Sequence, residues 1–336
     1  MRSKGSVMKV AVVGAGVAGL ACARELQNKG HTVEVFEKSR GPGGRMPTRW
    51  VGQTEAEGGF DHGTQYFSAE HPTFSTCVHA AQQEGAVQLW QGHVVDLAYT
   101  QITPRNSANA RWVGVPGMSA FGRFLAKGLT LNTQTRVTEI SRKKGSWAIN
   151  TVSTSGQQQY SEGWNMVVLA IPAEQAVAFL AEKPEFQSKA AQIVSAPNWT
   201  VMLEFSEPLV VPFDGAFVHD QPIGWIARDS SKPGRADHER WVLQATSDWS
   251  FKHIDLSADE AGRQLADVFL SALGLSVVPA SYRAHRWLYS TPLNPLDAEF
   301  LLDPDLGLAA CGDWIKGGRV ESAWLSGWAL GQSIPN

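Results

Sequence analysis

Cysteine is scarce in this chain. Cys22, Cys77 and Cys311 lie far apart and no two of them form a CxxC pair. That spacing argues against a zinc site and against a redox dithiol. An odd, sparse set also argues against a disulfide-stapled secreted protein and fits a reducing, cytoplasmic setting. Long hydrophobic runs are missing too. Gly, Pro or a charge interrupts each apolar stretch well before the ~18 residues a membrane-spanning helix needs. Neither sign of charge is in surplus: the formal net charge is −3, which leaves no basic face for nucleic acid. The nine histidines show no ligand pair at i, i+4 spacing, so no metal is expected. There is no G-x-S-x-G elbow for a serine nucleophile and no second G-x-G-x-x-G for a separate NADPH. Residues 1–7 lack the apolar run of a signal peptide. They read as a disordered lead, with Met8 as an alternative start.

What is present is a sizeable apolar fraction, 43% of 336 residues, enough for the cores of two domains. Residues 9–13 are a short apolar run that ends in glycines, as a buried parallel strand does. Residues 17–29 carry helical spacing, with Leu20, Ala23 and Leu26 on one face and Gly30 as the stop. Residues 32–37 form a second apolar strand, completing a βαβ unit of about 30 residues. Residues 41–70 are Gly-rich and aperiodic, the mark of a functional loop. Strands and a hairpin turning at Lys144-Gly145 follow over 129–152, then a buried strand over 166–171 and a helix over 173–182. The stretch 197–250 is rich in Trp, Phe and Val between turn residues and predicts an antiparallel sheet. A helix over 259–273 is capped by Ser257. A last buried strand over 306–311 and a last helix over 321–332 close the pattern.

Gly14-Ala15-Gly16-Val17-Ala18-Gly19 stands between that first strand and first helix. The first glycine permits the tight turn, the second lets backbone approach a pyrophosphate, and the third lets helix pack on strand. The phosphates then sit at a helix N-terminus. Glu37 ends the second strand, where a carboxylate accepts from ribose hydroxyls. This fingerprint does not separate NAD from FAD. Two further features favour FAD. Gly43-Gly44-Arg45 follows the acidic strand closely, with glycines that let the chain pass a cofactor and an arginine for phosphate or flavin. Gly312-Asp313 ends the late strand, and the helix near Glu321 can point its N-terminus at the flavin pyrimidine edge.

Together these residues resemble the FAD-containing amine oxidase superfamily, and more closely bacterial renalase-like proteins. The closer resemblance rests on Lys38-Ser39-Arg40-Gly41-Pro42-Gly43-Gly44-Arg45-Met46, on Phe60-Asp61-His62-Gly63-Thr64-Gln65-Tyr66-Phe67, and on Arg111-Trp112-Val113-Gly114-Val115-Pro116-Gly117-Met118-Ser119. It rests also on His285-Arg286-Trp287-Leu288-Tyr289 and on the blocks from Cys311 to Trp314 and from Gly318 to Gly327. The resemblance implies FAD along Gly14, Gly16, Gly19, Glu37, Lys38, Arg45, Met46, Gln65, the backbone near Val137, Asp313, Arg319 and Glu321. It implies flavin chemistry at a domain junction, beside the 60–67 loop and the 285–289 strand. Monoamine-oxidase relatives attach flavin through a Cys some tens of residues before the C-terminal Gly-Asp. Residues 275–310 contain no Cys, so FAD is expected to be held non-covalently.

The expected architecture is α/β. A Rossmann-type FAD domain of the two-dinucleotide-binding kind takes 8–70, 105–180 and 285–334. A second α+β substrate domain on an antiparallel sheet takes 71–104 and 181–284. The resemblance implies oxidation of 2- or 6-dihydro isomers of NAD(P), with O2 returning hydrogen peroxide. A flavin amine oxidase and a flavin-bound redox sensor without turnover are the alternatives. Two positions depart from the relatives: Gln244 stands where they carry His, and Asp229 where they often carry Asn. Both are expected on the substrate side, with Trp287 and Tyr289 on one strand face beside them and Trp225 as a weaker candidate.

Overall fold

The computed structural model describes residues 7–52, 54–98, 101–105 and 109–335. Residues 1–6 of the expected disordered lead lie outside the described residues. The chain divides into two compact units. The first takes Met1–Gly44, Gly122–Val194 and Thr291–Asn336, the second Arg45–Phe121 and Ser195–Ser290. Residues 45–70, 105–121 and 285–290, expected in the cofactor domain, thus lie in the second unit. Side-chain and ladder bonds to the second unit's own sheet and loops account for the difference. Residues 181–194 move the other way, because Phe186, Ala190 and Ile193 pack into the first unit's core.

The first unit is built on a six-stranded sheet. Its order runs Leu301–Asp303, Leu308–Ala310, Met166–Leu169, Lys9–Val13, Thr32–Phe36, Thr130–Asn132. All neighbours are parallel except the pair Leu301–Asp303 and Leu308–Ala310. Strands buried on both faces need apolar residues at every position, and Val10 to Val12 are fully buried. The helix Val17–Asn28 follows the glycine turn, and the helix Val320–Ser333 packs along it. Close approach is set by two glycines. A Cβ at Gly327 would overlap the Ala18 carbonyl, and one at Gly331 would sit 2.5 Å from Glu25 Cβ. Lys29 Nζ then donates to the carbonyls of Gly331, Gln332 and Ile334, satisfying the last turn. Cys22 and Cys311, remote in sequence, are hydrogen-bonded partners here, both fully buried; that contact and burial push the Cys22 thiol well above its usual range. Proximity was invisible to the spacing argument, yet burial keeps the pair unreactive.

Between Thr130–Asn132 and Met166–Leu169 runs an antiparallel meander of Thr135–Lys143, Ser146–Ser153 and Gln158–Trp164. Lys144 and Gly145 have φ of 48° and 84°, the two positive values a two-residue hairpin turn requires. The third strand of the meander carries polar residues on its exposed positions and no marked alternation, so only the first hairpin was expected.

The second unit is built on a seven-stranded sheet ordered Ser281–Pro292, Ser195–Phe205, Glu239–Ala245, Ile223–Arg228, Gly215–His219, Val94–Ala98, Gln101–Pro104. The expected antiparallel character holds through the middle, but Gly215–His219 and Val94–Ala98 pair in parallel. One face, including Leu203, Leu243, Ile226 and Trp241, packs under the helix Ala258–Ala272. Ser257 caps that helix through a box with Glu260. No described helix is long and apolar enough to cross a membrane.

Candidate functional site

In the first unit the site is made of backbone. Gly14 has φ of 103°, and a Cβ there would meet the Ala170 carbonyl at 2.5 Å. At Gly19 a Cβ would overlap the Gly14 carbonyl. Both are glycine because the fold leaves no room. Gly16 differs: it is the N-cap of Val17–Asn28, has no side-chain cap, and a Cβ there meets nothing within 4 Å. The chain itself gives no reason for glycine at Gly16; a phosphate approaching the first-turn N–H groups does. The Gly43-Gly44 backbone lies against this turn, with Gly43 N–H donating to the Ala15 carbonyl at 2.8 Å. A Cβ on Gly44 would be 3.1 Å from Gly16 Cα. These residues fit a dinucleotide cofactor.

Glu37 is buried, and its carboxylate accepts from Ala15 N–H at 2.9 Å and from Ser39 N–H at 2.7 Å. It therefore fastens the glycine turn to the end of the second strand. Lys38 Nζ donates to Gln175 Oε1 at 3.1 Å. Val137 is buried, and the ladder shifts register between Val137 and Glu139, a bulge that re-aims the local backbone groups. Asp313 opens a short helix and is buried, while Gly312 N–H donates to Ser326 Oγ at 3.0 Å. Arg319 is the N-cap of Val320–Ser333, and Glu321 is buried in its first turn.

In the second unit the site is made of side chains from distant segments. The carbonyls of three successive residues are held by side-chain donors. Gln65 Nε2 donates to the Asp61 carbonyl, Trp287 Nε1 to that of His62 at 2.9 Å, and Gln244 Nε2 to that of Gly63 at 2.7 Å. Gln65, expected at the cofactor, has its amide spent inside this turn: Nε2 also meets the Gly63 carbonyl, and Lys232 donates to Oε1. Met46 is buried. Arg45 donates to the Ser290 carbonyl at 2.8 Å and to that of Tyr289 at 3.4 Å, which fixes the guanidinium on the 289–290 backbone. His285, Trp287 and Tyr289 are half-buried and alternate with exposed neighbours, so they share a strand face as expected. The His62 ring lies 5.5 Å from Trp287 and 5.1 Å from His285. Burial, then the neighbouring His285, hold His62 down to about 4, and its Nδ1 is buried without a hydrogen bond. Burial and Arg49 lower His285 as well.

Beneath the turn is a charge cluster that sequence reading missed. Asp61, Asp229, Lys232 and Arg235 are almost wholly buried. Lys232 Nζ lies 2.5 Å from Asp229 and 3.3 Å from Asp61, and Arg235 pairs with Asp61. Burial alone would raise Asp61. Arg235 and Lys232, with the Met118 N–H and the Thr48 hydroxyl, overcome it and hold the carboxyl down to about 2. Asp229 is pushed the other way by burial. Expected on the substrate side, Asp229 instead has no exposed surface and is committed to these two cations and the Asp61 N–H. The one sequence signal was the spacing Asp229-x-x-Lys232, which a 3-10 turn over Asp229–Ser231 brings together.

The sheet face away from the helix carries Thr200, Gln244, Trp225 and Phe217, which stand in one row across four strands. Trp225 meets Phe217 at 4.7 Å and Tyr66 at 5.5 Å between ring centroids, and Trp90 at 6.4 Å. Gly215 makes room for both indoles, since a Cβ would be 3.0 Å from one and 3.1 Å from the other.

Comparison with known proteins agrees with this geometry. Residues 96–332 match the family model described as flavin containing amine oxidoreductase, and residues 12–80 match an NAD(P)-binding Rossmann-like domain. A putative protoporphyrinogen oxidase from Exiguobacterium sp. 255-15 superposes with a TM-score of 0.78 at 15% identity, covering 98% of this chain and 99% of the other. An oxidoreductase from Methanosarcina mazei gives a TM-score of 0.68 at 14% identity, covering 97% and 100%. At such identities the likeness is one of fold. A 4,4'-diapophytoene desaturase (4,4'-diaponeurosporene-forming) of Staphylococcus aureus (strain Newman) is 56% identical over 39 residues, 12% of this chain and 8% of that protein. The match to these curated relatives is therefore a short segment.

Proposed function

The chain belongs to the flavin containing amine oxidoreductase family, and from that premise we propose that it is a renalase-like oxidase of dihydronicotinamide nucleotides with non-covalently held FAD. When bound, the flavin would supply two-electron chemistry: it would accept a hydride from the donor and pass the two electrons to O2, which with that hydrogen and one solvent proton becomes hydrogen peroxide. Gly14, Gly16, Gly19 and Glu37 hold the adenosine and pyrophosphate end, with Asp313, Arg319 and Glu321 serving the remainder. Gln244 and Trp287 fix the His62-Gly63 backbone, and the aromatic row beside Gln244 stacks a flat ring.

The observation that carries the substrate class is the loss of Asp229 as a free acid. A cationic amine is held most strongly by an unpaired carboxylate. Here the candidate carboxylate is buried with Lys232 and Arg235, while the rim of the aromatic row carries Arg111 over Tyr66. Such a face suits an anionic planar donor. A dihydronicotinamide gives up hydride without losing a proton first, so a neutral Gln244 and a neutral His62 suffice. Membership of an amine oxidoreductase family keeps a flavin amine oxidase as the second reading.

Anaerobic flavin bleaching decides between them. Rapid reduction is expected with 2- or 6-dihydro isomers of NAD(P), slow reduction with the 4-dihydro form, and none with simple amines. Hydride transfer needs the donor carbon within about 3–3.5 Å, so a pocket that places carbon 2 or 6 misplaces carbon 4. Reduction by amines alone would establish the second reading. Acid precipitation should release all the flavin; a yellow pellet would refute non-covalent binding.

A further inference from the structure

Three donors in the second unit belong to one aromatic cluster, and none of them has an acceptor among the described residues. Trp225 is 7% exposed, and its buried Nε1 has no hydrogen bond. Tyr66 packs against it at 5.5 Å, and its hydroxyl donates to nothing among the described residues. The Arg111 guanidinium lies 5.6 Å above the Tyr66 ring and has no ion pair or side-chain hydrogen bond among the described residues. The rest of the cluster shows that this is not neglect. Trp90, whose N–H pairs with the Arg111 carbonyl at 2.8 Å, sends its own indole N–H to Ser231 Oγ at 3.1 Å. Arg105, over Phe217 at 4.1 Å, is neutralised by Asp96 at 2.6 Å. A buried indole N–H without a partner costs about 1–3 kcal/mol, which a ligand acceptor returns. Arginine stacked on an aromatic ring keeps its fork in one plane, ready for a bidentate oxyanion.

We propose that Arg111, Tyr66 and Trp225 form a subsite of unpaired donors that takes the phosphate-bearing part of a nicotinamide nucleotide, and that Arg111 is the residue selecting nucleotides over nicotinamides that lack the phosphate. The choice of a nicotinamide ligand rests on the oxidase reading above; the demand for a flat, acceptor-rich anion rests on the three donors alone. The register supports the placement. Trp225 stands directly opposite Gln244 on the neighbouring strand, on the same sheet face, so an anion held here leaves the attached ring beside Gln244. No step of bond making is assigned to the subsite; its role is recognition.

The test is calorimetric titration of the oxidised holoprotein with nicotinamide mononucleotide and with nicotinamide riboside, which differ only in the phosphate. The wild type should bind the mononucleotide about ten-fold or more tightly than the riboside, as one charge-assisted hydrogen bond predicts. Arg111→Met should erase that preference while leaving riboside affinity and the flavin spectrum unchanged. Arg111→Lys should recover part of it, because it restores the charge without the fork. Trp225→Phe keeps the ring and removes the donor, and should weaken the mononucleotide only. An unchanged preference in Arg111→Met, or a wild type that does not bind the mononucleotide, overturns the subsite. If Arg111→Met loses the preference but dihydronicotinamide isomers leave the flavin oxidised, the subsite stands and the oxidase reading falls. If the isomers reduce both proteins at equal half-saturating concentrations, the oxidase reading stands and the subsite falls.

Discussion

The two units reach a binding surface by opposite means. The first uses backbone: glycines at Gly14, Gly16 and Gly19, a helix N-terminus, and a carboxylate spent on two N–H groups. The second uses side chains drawn from segments more than a hundred residues apart, such as Asp61 with Lys232 or His62 with Trp287. A backbone site is written in consecutive residues. A side-chain site is written only in the fold. The contrast makes each unit vulnerable in its own way.

The sharpest break comes from two glycines, Gly19 and Gly16, that the motif treats alike and the space around them does not. Gly19→Val should prevent folding, because any Cβ overlaps the Gly14 carbonyl; overpacking against backbone costs about 3 kcal/mol or more. Gly16→Val should fold and melt like the wild-type apoprotein yet purify without flavin, since its Cβ meets only open space. Equal flavin content in Gly16→Val and wild type would remove the turn from the cofactor site. Absorbance and thermal melts read both.

In the second unit, Lys232→Met should cost about 3–5 kcal/mol in urea unfolding at neutral pH, as removal of one partner from a buried ion cluster does. The effect has a pH signature. Asp61 is depressed to about 2 in the folded protein. Its stabilising contribution is complete above the unfolded value of about 3.9 and drains away as pH falls through the folded one. The deficit of the variant should therefore shrink on acidification below about pH 4. A constant deficit down to pH 2 would mean that Asp61 does not depend on Lys232.

Glu37→Ala returns to the backbone site with a smaller effect. The substitution touches the fold as well as the cofactor, because Ala15 and Ser39 lose their acceptor. Flavin affinity should fall by a charge-assisted bond, about 1.5–3 kcal/mol, and the apoprotein should also lose stability. A variant with full flavin affinity would take Glu37 out of the site.

The smallest effect is expected at Gln244. Glutamine does not titrate, and His62 is held to about 4, so flavin reduction in the wild type should be flat between about pH 5 and 8. Gln244→His should introduce a step in that window. Identical profiles would separate Gln244 from the reacting end of the site.

Legibility in the sequence follows the same division. The βαβ unit, the Gly-rich turn, the Lys144-Gly145 hairpin and the Ser257 cap were readable, because each is set by neighbours in the chain. The parallel entry of Val94–Ala98 beside Gly215–His219 was not, since no local pattern encodes a partner more than a hundred residues away. Asp229 shows the cost most clearly. Its position near a departing block pointed to the substrate, while its actual role depends on Asp61 and Arg235, which only the folded chain brings beside it. The Cys22–Cys311 contact is the same lesson in apolar surroundings.

The helix Val320–Ser333 lies on Val17–Asn28 through Gly327 and Gly331, with Lys29 closing its last carbonyls. Translation gives this arrangement a timetable. At about 5–20 residues per second, Gly327 leaves the ribosome roughly 15–60 seconds after Gly14. Throughout that interval Ala18 and Cys22, which lie against Gly327 and Gly331 and are buried in the finished molecule, have no covering helix. The strand Leu308–Ala310 is likewise absent from the sheet edge it later pairs with. The nucleotide-type turn is therefore synthesised well before the helix and the strand that complete its own unit.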